Sequence, residues 1–154
     1  MKNRFLIVDD DALVCRATAR MVEHLTGLPA ECCADGDEAL RLFQRDPAAF
    51  AAVVTDYEMP GMNGLELGDR LRALAPGLKM LLATGNPGKL NATDVKQHGF
   101  DCVLVKPYAL GSLGNALREI LSPDESPLHD AGWRSLPGST LFFERNRGIL
   151  PAVI

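Results

Sequence analysis

Asp9, Asp10, Asp56, Thr84 and Lys106 have side chains suited to one piece of chemistry if a fold brings them together. Three carboxylates do not gather without compensation. Two of them about 4 Å apart repel by roughly 4 kcal/mol at an effective dielectric of about 20. A divalent cation supplies the compensation, and oxygen donors with few dedicated side chains suit Mg²⁺. The Lys106 ammonium adds a further positive charge. Such a site can hold a phosphoryl group against a carboxylate, and the carboxylate can act as the nucleophile and form an aspartyl-phosphate. Positioning and charge neutralisation do most of the work in that chemistry. A hydroxyl such as that of Thr84 can donate a hydrogen bond to the new phosphate.

The elements that must position these residues alternate along the chain. Phe5-Leu6-Ile7-Val8, Ala51-Ala52-Val53-Val54, Met80-Leu81-Leu82-Ala83 and Cys102-Val103-Leu104-Val105 are short apolar runs, as expected of strands buried on both faces. A weaker strand is predicted over Ala30–Cys33, after the break at Gly27-Leu28-Pro29. Helices are predicted between them. Ala12–Leu25 carries Leu13, Ala17, Met21 and Leu25 as one stripe, and Asp37–Gln44 carries Ala39, Leu40 and Phe43. Leu65–Leu74 carries Leu67, Leu71 and Leu74, and Leu110–Leu121 carries Leu113, Leu117 and Ile120/Leu121. Lys89–His98 is a poorer helix, weakened by Asn91 and Thr93 and by the preceding Asn86-Pro87-Gly88. This alternation over residues 1–121 predicts an α/β fold: an open, doubly wound, five-stranded parallel sheet with helices on both faces. Ligands of such sheets bind beyond the carboxyl ends of the strands. The chemical residues all follow strand ends: Asp9-Asp10-Asp11, Thr55-Asp56, Thr84-Gly85 and Lys106-Pro107.

Four segments, taken in order, resemble response-regulator receiver domains of two-component signalling: Leu6-Ile7-Val8-Asp9-Asp10, Thr55-Asp56-Tyr57-Glu58-Met59-Pro60-Gly61-Met62-Asn63-Gly64, Ala83-Thr84-Gly85 and Val105-Lys106-Pro107. The likeness covers roughly residues 3–121. It implies the flavodoxin-like strand order 2-1-3-4-5. It also implies that Asp56 is the phosphoacceptor, that Asp10 ligates Mg²⁺ directly, that Asp9 holds the ion chiefly through water, and that Glu58 lends its backbone carbonyl. Thr84 and Lys106 would contact the phosphoryl group. The implied partners are a histidine kinase or histidine phosphotransfer protein as donor and a downstream protein as receiver of the signal. Gly61 and Gly64 fit the tight loop after Met59-Pro60. One position departs from the family pattern: many members carry Tyr or Phe three residues before the lysine, and here that residue is Val103. A branched aliphatic side chain cannot make the same ring rotation, so output is expected through the loop after Thr84, the weak fourth helix or the tail.

Plainer roles account for other residues. Asp11 is expected to cap the first helix. Cys15, Cys32, Cys33 and Cys102 lack metal-ligand spacing and are read as buried free thiols. His24, His98 and His129 are scattered and read as surface or tail residues. The 154-residue chain is 47% hydrophobic and 23% charged, with a formal net charge of −4, which fits a globular protein. Without a Lys/Arg cluster, direct nucleic-acid binding has little support. No apolar run approaches membrane-spanning length, and Met1-Lys2-Asn3-Arg4 runs straight into the first strand, so a cytoplasmic location is expected. Residues 122–154 differ in texture. They hold Pro123, Pro127, Pro137 and Pro151 beside Trp133, Phe142 and Phe143, and they are too few for a winged-helix output domain. They are read as a tail that packs on the domain or mediates self-association, including a possible homodimer. The main rival reading is an enzyme, an aspartate-nucleophile phosphatase of the haloacid-dehalogenase type. Its nucleophile belongs to an early D-x-D motif, whereas Asp56 follows a middle strand.

Overall fold

Seven residues in a row, Phe50–Asp56, are buried along their whole length and form β3, the middle one of five parallel strands. The computed structural model describes residues 1–121 and, for the backbone alone, 135–136 and 140–142. The other elements are β1 Arg4–Val8, α1 Ala12–Thr26, β2 Ala30–Cys33, α2 Gly36–Arg45, α3 Gly64–Leu74, β4 Lys79–Thr84, α4 Ala92–Gln97, β5 Cys102–Val105, α5 Leu110–Leu121, β6 Ser135–Leu136 and β7 Thr140–Phe142. The sheet order is β2-β1-β3-β4-β5-β7-β6. The first five strands are parallel, in the predicted 2-1-3-4-5 order.

Strand alternation sorts the core into two layers. Leu6, Val8, Val53 and Leu82 pack with Phe43 and Leu67 on one face. Phe5, Ile7, Val54 and Leu104 pack with Val22 and Leu117 on the other. Asp11 caps α1 as expected, accepting from the Leu13 and Val14 N–H groups, and the structure adds two further caps, Asp35 accepting from the Glu38 N–H and Asn63 from the Glu66 N–H. Gly27 ends α1 in the left-handed region at φ 73°, where a side chain is disfavoured.

Several expectations need correction. The buried face of α1 carries Cys15, Thr18, Ala19 and Val22, while Leu13 is 73% exposed and Ala17 and Leu25 are exposed as well. The reason is helical phase. A strict spacing of four overshoots the 3.6-residue turn and drifts off a face, whereas steps of three and four hold it. Leu74 and Leu121, at the last residues of α3 and α5, are each about two-fifths exposed. The weak fourth helix is shorter than Lys89–His98. Pro87–Lys89 form a separate 3₁₀ turn, and the Asn91 side chain accepts from the Thr93 and Asp94 N–H groups to start α4 at Ala92. Cys32 is exposed because β2 is the sheet edge. His98 is half-buried and its Nδ1 lies 2.7 Å from Asp69 Oδ1, which ties the end of α4 to α3.

The sheet also gains two strands beyond the five expected. β7 pairs antiparallel with β5 (Cys102↔Phe142, Val103↔Leu141, Leu104↔Thr140) and β6 pairs with β7. An otherwise open edge is thereby covered. His129, Trp133 and Phe143 lie outside the described residues.

Asp101 at the head of β5 gives the fold a measurable pH dependence. Burial raises its pKa from 3.8 to about 6, against the opposing hydrogen bond from the Met80 N–H and the nearby Arg72. The native state therefore binds this proton more tightly than the unfolded chain. The associated stabilisation is complete below about pH 4 and is lost as pH rises through about 6. Asp101→Asn keeps an acceptor for Met80 and removes the buried charge. It is expected to stabilise the protein by about 2 kcal/mol at pH 8 and by little at pH 4, read by urea unfolding at both.

Candidate phosphoacceptor site

Parallel pairing carries the site residues to one edge of the sheet. Val8 pairs with Thr55, Asp56 with Ala83 and Thr84 with Val105. Asp9 follows β1, Asp56 and Thr84 end β3 and β4, and Lys106 follows β5. Asp9 and Asp56 are buried and Asp10 is exposed. One carboxylate oxygen from each of Asp9, Asp10 and Asp56 lies within 4.8 Å of the others. Lys106 Nζ donates to Asp9 Oδ2 at 2.7 Å and lies 3.2 Å from Asp56 Oδ1.

Backbone contacts hold the frame. The other Asp9 oxygen, Oδ1, accepts from the Asp11 N–H at 2.9 Å, and the Asp9 N–H donates to the Cys33 carbonyl at 3.1 Å. Lys106 N–H donates to the Thr84 carbonyl at 2.7 Å, which fixes the start of the lysine loop against β4. The Lys106-Pro107 peptide is cis.

The two partners of the ion pair respond differently to it. Burial works against the Lys106 charge, but the hydrogen bond to Asp9 and the fields of Asp56 and Asp9 outweigh it and raise its pKa. Asp56 is raised too: burial is the largest cause, and the nearby Asp9 and Asp10 carboxylates add to it against the pull of Lys106. One ammonium thus bridges two of three converging carboxylates. Electrostatically the cluster is under-neutralised, and its oxygen-only donor set, open through the exposed Asp10, fits a hard divalent cation such as Mg²⁺.

The remaining predicted residues are placed as follows. Thr84 is fully buried at the end of β4, and its Oγ1 accepts from the Asn86 N–H at 3.0 Å. Its own hydroxyl proton stays available for donation. Glu58 is exposed, with its carboxylate 4.0 Å from Lys89. Val103 is buried in the core layer with Leu82, Val95 and Phe100.

Two supports of the site have no local sequence signal. The hydroxyls of Tyr108 and Thr18 lie 2.6 Å apart, which ties the loop after Lys106 to α1 across 90 positions of chain. Gly64 belongs to α3 instead of the turn. A Cβ there would lie 2.4 Å from the Asp56 carbonyl and 2.7 Å from Leu82 Cδ1. The turn itself uses Gly61, at φ 76°.

Comparison with known proteins decides the family. Residues 5–118 match the model of the response regulator receiver domain. The chain belongs to the response regulator receiver domain family. It is 36% identical over 130 residues to the response regulator MprA of Mycobacterium sp. (strain KMS) and 34% identical over 126 residues to that of Mycobacterium leprae. Those matches take in 82% and 80% of this chain but 55% and 54% of the relatives, so the chain spans about half their length. Among solved structures it is similar to a CheY-like receiver domain protein from Methanospirillum hungatei, with TM-score 0.71 and 29% identity over 79% of this chain and 94% of that one. It is also similar to the chemotaxis protein CheY4 of Vibrio cholerae, with TM-score 0.70 and 26% identity over 79% and 100%. As a receiver domain it acts in two-component signalling, a system in which phosphorylation and magnesium are standard. Among the described residues no helix is long and apolar enough to cross a membrane.

Proposed function

We propose that this receiver is a phosphorylation-dependent switch in which Asp56 accepts a phosphoryl group from a histidine kinase or histidine phosphotransfer protein. The convergence of Asp9, Asp10 and Asp56 at the carboxyl edge of the sheet, with Lys106 paired to Asp9 and Asp56, carries this reading. An Asp56 carboxylate oxygen attacks phosphorus, and the bond from phosphorus to the donor nitrogen breaks. Lys106 moves between its carboxylate partners and the phosphoryl oxygens, holding them in place. Thr84 donates its free hydroxyl proton to the new phosphate. Asp9, Asp10, Asp56 and the Glu58 backbone carbonyl would hold Mg²⁺, which neutralises charge on the transferring oxygens when bound.

Residues 1–121 form the receiver unit in this proposal, and 122–154 act as an extension and not as an output domain. With Val103 at the aromatic switch position, the signal leaves through the loop after Thr84, α4 or the extension, toward a downstream protein or a second copy of the chain. The backbone pairing of Val103 with Leu141 supports the last route. A cytoplasmic location fits this role. The receiver reading is also distinguished from the phosphatase reading by stoichiometry. With acetyl phosphate and Mg²⁺, at most one phosphoryl group per chain is expected, and none in EDTA. Sustained turnover of a small phosphomonoester would favour the phosphatase.

A further inference from the structure

Cys32 lies in the edge strand β2, opposite Ile7 of β1 in parallel register. Ile7 faces the core layer that contains Cys15, Ala19 and Val22 of α1, whereas Cys33 faces the opposite layer with Val8 and Phe43. Alternation along β2 therefore turns Cys32 toward α1. From the helix side, Cys15 Sγ reaches down to the sheet. It lies 3.5 Å from the Ile7 carbonyl and 3.8 Å from the Cys33 carbonyl, the backbone next to Cys32. Cys15 Sγ and Cys32 thus both lie on the α1 side of β2, and burial first, then the neighbouring Cys32, push the Cys15 thiol up.

We propose that Cys15 and Cys32 are an oxidisable pair that closes to a disulfide between α1 and β2. Their accessibility divides the labour. Cys32 is exposed and meets the oxidant first, while Cys15 is buried and waits beneath it. Peroxide is the oxidant class. The Cys32 thiolate attacks one peroxide oxygen, the O–O bond breaks, and a sulfenic acid and water result after proton uptake. Cys15 sulfur then attacks the Cys32 sulfur, the S–O bond breaks, and the Cys15 proton leaves with the hydroxyl as a second water. Two thiols lose two electrons and two protons, and one peroxide becomes two waters. Cys33 and Cys102 do not compete. Cys33 faces the other layer, and Cys102 is fully buried between strands and α5.

The crosslink lies beside the phosphoryl site. Cys15 N–H donates to the Asp11 carbonyl, and the Cys33 carbonyl accepts from Asp9 N–H. Closing it fastens the α1 start to the strand pairing that carries Asp9, and a thiol reductant reopens it.

The test treats the full chain with hydrogen peroxide, alkylates free thiols and digests with trypsin without reduction. Cys15 falls in peptide 5–16, and Cys32 and Cys33 fall in peptide 21–41. The expected product is the two peptides joined, about 2 Da below their sum. It should be reverted by dithiothreitol, lost in Cys32→Ser and kept in Cys33→Ala. Fragmentation between Cys32 and Cys33 of the native joined peptide assigns the bond even if Cys33→Ala does not fold. Cys15 left free after Cys32 is oxidised, Cys32 joined to Cys32 of a second chain, or a bond to Cys33 would each overturn the proposal.

Discussion

Lys106→Met is expected to destabilise the protein by about 3 kcal/mol in EDTA and to slow phosphorylation of Asp56 by about two orders of magnitude. Lys106 Nζ is the cation between Asp9 and Asp56, at 2.7 and 3.2 Å, and its side chain is only 22% exposed. A methionine of similar length keeps the packing of the stem and removes the charge. Two buried carboxylates then face each other and Asp10 with no ammonium between them. Their repulsion, together with the lost hydrogen bonds, sets the size of the effect. Two controls separate charge from packing. Mg²⁺ is expected to restore much of the lost stability, because it binds only the folded cluster. Asp56→Asn in the Lys106→Met background is expected to recover part of it without Mg²⁺, because one of the repelling charges is gone. Urea unfolding with and without Mg²⁺ reads the stability, and the rate of acetyl-phosphate labelling reads the chemistry. Equal stability of Lys106→Met and the native chain in EDTA would contradict the electrostatic account of the site.

Gly64→Ala is expected to be as damaging through sterics alone, at about 2–3 kcal/mol. The added Cβ would lie 2.4 Å from the carbonyl of Asp56 itself, 2.7 Å from Leu82 Cδ1 and 3.0 Å from Tyr57 Cα. Two of those three atoms are backbone, so no side-chain rotation relieves the clash. Gly64 cannot step away freely either, because its N–H donates to the Tyr57 carbonyl at 2.9 Å. The first turn of α3 and the end of β3 must separate, and the Asp56 carboxylate moves with its backbone. Labelling by acetyl phosphate is therefore expected to fall along with stability. Gly61→Ala is the contrast. It meets no atom within 4 Å and costs only the strain of φ 76°, about 1 kcal/mol. A Gly64→Ala variant no less stable than Gly61→Ala would show that the contact relaxes without cost.

These two residues mark the range of what could be read in advance. Lys106 was legible because chemistry and topology agree. An ammonium directly after a buried strand, with carboxylates after two other parallel strands, can only meet them at the carboxyl edge. The five parallel strands were legible for a similar reason, since runs such as Ala51–Val54 are apolar on both faces. The neighbours Pro60 and Gly61 signal a turn that takes in Gly64. Its actual requirement is a close approach between backbones that no local pattern records. The buried face of α1 is obscured in the sequence because Leu13, Ala17, Met21 and Leu25 outweigh Cys15, Thr18, Ala19 and Val22 in apolar size. Helical phase and the short Asp9–Asp11 connection decided otherwise. Cys32 follows the same logic, since its burial depends on where β2 stands in the sheet. The Thr18–Tyr108 hydrogen bond joins residues with no shared local pattern. The pairing of β7 with β5 leaves no sequence signal either, because Thr140-Leu141-Phe142 is too short a run to separate from a packed tail.

The central claim is that Asp56 accepts a phosphoryl group at this site. Intact mass of the chain after incubation with acetyl phosphate and Mg²⁺ tests it most directly. One phosphoryl adduct, about 80 Da, is expected on the native chain and none on Asp56→Ala. An adduct of the same yield on Asp56→Ala, or no adduct on the native chain with any phosphodonor, would contradict it.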